Sequence, residues 1–106
     1  MKAMMVSMVA ATGLMIAGSA MAVDMPDLAK KNGCSNCHAI DKKVVGPAWK
    51  DVAGKYKSDA DAKTKLDTKI AKGGGGVWGP VPMPAQPKVS DGDRHELVEF
   101  ILGLAK

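Results

Sequence analysis

The sequence predicts a small all-α domain. Apolar residues recur at helical spacing in four stretches, and no stretch alternates apolar with polar as a half-buried strand would. Glycines and prolines fall between those stretches and punctuate them. Asp27 to Lys31, with Leu28 and Ala29, reads as a short first helix, and Gly33 stands where it should end. Ala39 to Gly46 reads as a loop. Pro47 then suits the first turn of a second helix that runs towards Tyr56, since a proline at that position loses no hydrogen bond. Trp49, Val52, Ala53 and Tyr56 share its inner face. Asp59 to Lys72 reads as a third helix, with Leu66 and Ile70 one turn apart and Lys69 between them. Ser90 is placed as the N-cap of the last helix, with acids following in the first turn. There Leu97, Val98, Ile101, Leu104 and Ala105 share one face, while His95, Glu99 and Lys106 fall on the other.

The N-terminal 22 residues read as a secretory signal rather than as part of the fold. Lys2 is the charged start, Ala3 to Ala17 is apolar, and small residues lead to Ala20-Met21-Ala22. The apolar stretch is interrupted by Ser7, Thr12 and Gly13, and a spanning helix needs about 20 apolar residues. An uncleaved anchor is the competing reading. Cleavage after Ala22 takes 22 of the 106 residues and leaves 84. Six of the eight methionines go with the leader, and only Met25 and Met83 remain. A chain of that length is one domain with a thin core.

Cys34-Ser35-Asn36-Cys37-His38 is the motif that carries chemistry. C-x-x-C-H is the signature of covalent c-type haem attachment. Two thiols at that spacing can add to the two vinyl groups on one edge of a porphyrin. The histidine that follows is then held under the iron, where its imidazole can bind. The same two cysteines could instead form a structural disulfide or a redox dithiol. A thioredoxin-like dithiol should follow a strand, and none is visible before Cys34. A covalently held haem c, one per chain, would also supply the core that so short a chain lacks.

A second ligand is sought among the other donors. Gly73 to Gly76 end the third helix and let backbone pass close to something bulky. They form no phosphate-binding loop, because no Gly-Lys-Ser/Thr follows. Pro80, Pro82 and Pro84 then stiffen an extended segment around Met83. A neutral thioether binds iron weakly and needs such a rigid loop. Met25 lies only nine residues before Cys34, and His95 sits on the polar face of its helix. Met83 is therefore the expected sixth ligand, although a loop methionine can also serve only in packing.

Charge excludes little else. The chain carries a formal +4, which falls to +3 without Lys2, and that is too mild for a nucleic-acid binder. Lys30, Lys31, Lys42, Lys43, Lys50, Lys55 and Lys57 cluster in the first half of the mature chain. They read either as ordinary solvated helix faces or as a docking face for acidic redox partners.

The chain resembles the small bacterial class I cytochromes c of pseudomonads, ammonia oxidisers and hydrogen bacteria. The likeness rests on Cys34-Ser35-Asn36-Cys37-His38, on Val44-Val45-Gly46-Pro47, on Val77-Trp78-Gly79-Pro80-Val81-Pro82-Met83-Pro84 and on the amphipathic last helix. It spans the mature chain, residues 23–106. It implies a cytochrome c fold with about four helices wrapped around one covalently bound haem. It implies His38 as the proximal ligand and Met83 as the distal one, with the Pro47 carbonyl accepting from the far nitrogen of His38. Trp78 and Lys69 match positions that contact a haem propionate. Gln86 matches an amide position that can donate to the ligand sulfur. The stretch Ala85-Gln86-Pro87-Lys88-Val89 carries one residue more than the shortest members, which bears on that last match.

The implied function is a periplasmic one-electron carrier, not an enzyme. His and Met together saturate the iron and leave oxygen or peroxide no open site. The partners implied are a membrane cytochrome complex as donor and a nitrite reductase, terminal oxidase or peroxidase as acceptor. No nucleic acid, no membrane insertion after cleavage and a monomeric state go with this reading. A haem enzyme or gas sensor with a displaceable Met83 is the alternative, and a haem-free metal or dithiol protein is a third.

Overall fold

Four helices form close to where the apolar spacing places them, as seen in a computed structural model that describes residues 23–105. They are α1 (Asp27–Lys31), α2 (Trp49–Tyr56), α3 (Ala62–Lys72) and α4 (Asp91–Leu102). A single 3₁₀ turn, Cys34–Asn36, lies between α1 and α2. The expected leader and Lys106 lie outside the described residues. Among the described residues there is no strand, only two isolated antiparallel bridges, His38 with Lys43 and Gly74 with Met83.

α4 packs against α1, α2 and α3. Its buried Leu97, Val98 and Ile101 are the face that the helical wheel predicts, and His95 and Glu99 are exposed. They join Ala29, Ile40, Trp49, Val52, Leu66, Ile70 and Val89 in one core. Burying such a side chain contributes about 1.5–3 kcal/mol. Phe100 adds an edge-on contact to Trp49, with centroids 5.8 Å apart at 63°. Ser90 caps α4, its hydroxyl accepting from the Asp93 N–H at 3.2 Å, a contact worth about 1 kcal/mol. Arg94 then ties α4 to α3. Its guanidinium donates to Asp67 at 3.0 Å and to the Val89 carbonyl at 3.1 Å.

Three boundaries differ from the sequence reading. α4 ends at Leu102, so Leu104 and Ala105, expected on its inner face, follow the helix instead. Pro47 stands before the N-cap of α2, not in its first turn. Ala48 is extended (φ −60°, ψ 140°) and fills the cap position. The first N–H groups of the helix are taken by the segment after His38: Trp49 N–H donates to the Ala39 carbonyl and Lys50 N–H to that of Ile40, both at 2.9 Å. That pairing needs the chain extended through Pro47. α3 starts at Ala62 rather than Asp59, because the Asp59 carboxylate captures nearby donors instead. It accepts from the Asp61 N–H at 2.8 Å and from Lys65 at 2.7 Å. Lys65 first, and then that N–H, hold the Asp59 carboxyl below its ordinary value. The stabilisation from this turn is therefore present at neutral pH and fades as the pH falls through the acid range.

Candidate functional site

The 3₁₀ turn at Cys34–Asn36 coils the motif tightly enough to set both thiols and the next imidazole on one cleft wall. Gly33 enters it at φ 77°, a conformation that closes α1 and that a side chain would disfavour. Cys34 and Cys37 are both free of disulfide. Burial pushes the Cys34 thiol up from its ordinary value, with its neighbour Cys37 adding to the rise. A redox dithiol needs the opposite shift, since its attacking sulfur must be a thiolate.

His38 is held by the loop that follows it. A carbonyl can only accept, so the Nδ1–H of His38 donates to the Pro47 oxygen at 2.8 Å. This fixes the tautomer and leaves Nε2 as the nitrogen with a free lone pair. The loop is fastened in turn, with the N–H groups of Val45 and Gly46 both donating to the Cys37 carbonyl, at 3.2 and 2.8 Å. Gly46 lies directly against the imidazole. A β-carbon there would stand 2.6 Å from Cε1 and 3.1 Å from Nε2, so only glycine lets the loop approach this closely. Trp49 supports the ring from α2, with centroids 5.8 Å apart.

Met83 sits on the opposite half of the sequence but on a wall of the same cleft. Its backbone is paired both ways with Gly74: Gly74 N–H to Met83 oxygen at 2.9 Å and Met83 N–H to Gly74 oxygen at 2.8 Å. Gly73 makes this pairing possible. At φ 72° it turns the chain off α3, and a β-carbon there would overlap the Met83 oxygen and meet the Ala85 nitrogen at 2.7 Å. The glycine run therefore accommodates the chain's own Met83 segment. Lys69 lines the cleft from the last turn of α3, and the half-exposed Trp78 lines it from the loop. Gln86 lines it too, but its side-chain amide donates to the Pro84 carbonyl at 3.1 Å, while its N–H anchors to the Ile70 carbonyl at 2.9 Å. No amide-to-sulfur hydrogen bond occurs among the described residues.

All eight residues singled out from the sequence, Cys34, Cys37, His38, Pro47, Lys69, Trp78, Met83 and Gln86, thus line one cleft. Trp49, Val52, Leu66, Ile70, Leu97 and Ile101 form its floor. These residues fit a c-type haem. Two thiols stand beside an imidazole with one free nitrogen, and apolar side chains wall the space. Met83, Trp78, Lys69, Tyr56 and Gln86 add a thioether, an indole, an ammonium, a phenol and an amide to the lining. Sequence reasoning gave Gly46 no role of its own, and it read the run from Gly73 as allowing a close approach without naming the Met83 segment as what comes close.

The family model described as Cytochrome c matches residues 23–105. The chain belongs to the cytochrome c family. It is similar to cytochrome c-552 of Nitrosomonas europaea, 52% identical over 95 residues, which cover 90% of each chain. It is also 48% identical over 92 residues to cytochrome c-551 of Pseudomonas aeruginosa, covering 87% of this chain and 88% of that one. The crystal structure of wild-type Nitrosomonas europaea cytochrome c552 superposes with a TM-score of 0.72 at 54% identity, over 74% of this chain and 96% of that one. The small helical cytochrome c fold and one covalently bound haem c follow for this chain, which makes it a small electron-carrying cytochrome.

Proposed function

We propose that this cytochrome is a soluble periplasmic one-electron carrier, with Cys34 and Cys37 attaching the haem and His38 and Met83 as its two axial ligands. The observation that carries this reading is the shared cleft: both thiols, the free Nε2 of His38 and the backbone-clamped Met83 line it together. The haem supplies a metal that changes oxidation state by one electron. The protein's part is to hold its ligands still. Pro47 keeps His38 in one tautomer and strengthens its donor nitrogen. The Gly74 pairing restrains the backbone of Met83, so a weak neutral ligand stays available in both oxidation states. Trp78 and Lys69, both on the cleft wall, would serve a propionate, whose buried charge needs donors. A clamped Met83 favours a carrier over an enzyme or sensor, which needs an open position.

Residues 1–22 are read as a cleaved leader. Intact-mass analysis of the periplasmic fraction is expected to give residues 23–106 plus one haem, and the ferric visible spectrum a weak sulfur-to-iron charge-transfer band. Full-length chain confined to membranes would defeat the soluble reading, and a missing band would defeat the Met83 ligation.

Lys30, Lys31, Lys42, Lys43, Lys50, Lys55 and Lys57 are all exposed, and none is in an ion pair among the described residues. This leaves them available to steer an acidic partner. The acceptor is a nitrite reductase, a terminal oxidase or a peroxidase, and the donor a membrane cytochrome complex. Electron transfer to the acceptor is expected to slow with added salt, since charges more than about 8 Å apart are screened at physiological ionic strength. Replacing Lys30, Lys31 and Lys42 by Gln is expected to slow association and flatten that dependence with little change in potential. A rate indifferent to salt would return the lysines to a solubilising role.

A further inference from the structure

The segment that carries Met83 is hydrogen-bonded to α3 at its base and lines the cleft with its tip. At the base, Gly73 N–H donates to the Lys69 carbonyl at 2.7 Å and Gln86 N–H to that of Ile70 at 2.9 Å, which bind it to α3. The Gly74–Met83 pair closes the segment on itself. Beyond that pair the chain turns back through Gly76 N–H to the Gly79 carbonyl, at 3.0 Å. A β-carbon at either Gly76 or Gly79 would meet nothing within 4 Å, and Val77, Trp78 and Val81 line the cleft. Among the described hydrogen bonds, none joins residues 75–82 to the helices.

One contact does join the tip to a helix. The Lys55 ammonium lies over the Trp78 ring, 5.8 Å from its centroid. Lys55 belongs to the last turn of α2, where a cation suits the helix end. α2 is itself firmly held through buried Trp49, Val52 and Ala53. A cation over an indole face is attractive, and tryptophan is the best partner for it. Lys55 has no carboxylate competing for it among the described ion pairs.

We propose that Lys55 is a positioning residue for the distal ligand: by latching Trp78 to α2 it restrains the tip of the loop that holds Met83. The proposal rests on the reading of Met83 as an axial ligand. Lys55 touches neither the cofactor nor its ligands in this role and acts through Trp78.

The test uses the haem-loaded ferric protein and exogenous imidazole as the probe. Loss of the sulfur-to-iron band reports displacement of Met83. Lys55→Gln is expected to speed displacement about two- to fivefold, the range an exposed cation–π contact commands. It should also shift the Trp78 indole N–H resonance. Lys55→Arg, which keeps a cation for the ring, should behave as the parent does, and so should Lys88→Gln, which removes one exposed charge elsewhere. Displacement by Lys55→Gln at the parental rate would overturn the proposal. An equal acceleration by Lys88→Gln would also overturn it, because net charge would then suffice. A parent without the band would take Met83 off the iron and remove the latch's purpose, a failure visible before any Lys55 variant is made.

Discussion

Met83→Ala is expected to abolish the sulfur-to-iron charge-transfer band, lower the reduction potential and open the iron to carbon monoxide or azide. A thioether is a soft, neutral donor that favours ferrous iron, so its loss favours the ferric state. The fall should be large, because axial-ligand identity spans roughly 0.8 V across haem proteins. For a one-electron couple, about 59 mV is a tenfold change in the equilibrium. Spectroelectrochemistry measures the shift, and carbon monoxide titration of the reduced variant measures the opened site. The fold should persist, since Met83 is only half-buried and packs against, not within, the buried core of Trp49, Val52, Leu66, Ile70, Leu97, Val98 and Ile101. An unchanged band would direct attention to Met25, which packs against that core near α1. A shift to a spectrum with two nitrogen ligands would direct it to His95, but His95 is exposed on the outer side of α4.

The parts of this chain that were legible in the sequence are those with local causes. α1 spans Asp27–Lys31 because Gly33 can adopt the left-handed conformation that stops it. α4 begins after Ser90 because a hydroxyl three residues before Asp93 can accept its N–H. The inner face of α4 follows from spacing alone. What the sequence obscured depends on which partner each polar group takes once the chain is folded. Pro47 reads as a helix starter, yet it is held outside α2 by a carbonyl that serves His38 and by an extended Ala48. Asp59 reads as an early helix residue, yet its carboxylate is drawn to Lys65 and to the Asp61 N–H. Gln86 reads as a sulfur-bonding amide, and its side chain turns to Pro84. The site residues themselves were visible because each is a chemically unusual group: paired thiols, one of two histidines, a methionine among prolines. The glycines that let them meet were legible only in part, since a glycine in sequence does not say which atom comes close to it. Gly46 and Gly73 are informative only once the imidazole and the Met83 carbonyl are seen against them.

Gly73→Ala is accordingly expected to damage the distal side more than its small size suggests. Two costs combine at this position. The backbone there has φ 72° with ψ −164°, outside the conformations that alanine readily adopts. Such strain costs on the order of 1–3 kcal/mol. The added methyl also meets only backbone, from Met83, Pro84 and Ala85, which cannot swing aside as a flexible side chain would. Something must move, and the Gly74–Met83 pairing is the nearest yielding contact. Stability should fall by about 2–3 kcal/mol, and imidazole should displace Met83 from the ferric iron at least about tenfold more readily, since about 1.4 kcal/mol is a factor of ten. Gly76→Ala separates the two causes. Gly76 also has positive φ, at 91°, but its methyl would meet nothing within 4 Å. It should lose stability through strain alone and leave the affinity for imidazole near that of the parent. Gly54→Ala, in the middle of α2 and facing open space, should instead add about 0.5–1 kcal/mol by restricting the unfolded chain. Denaturant unfolding and imidazole titration of the three variants decide the matter. If Gly73→Ala weakens the charge-transfer band no more than Gly76→Ala does, the close approach of the Met83 backbone is not what holds the ligand.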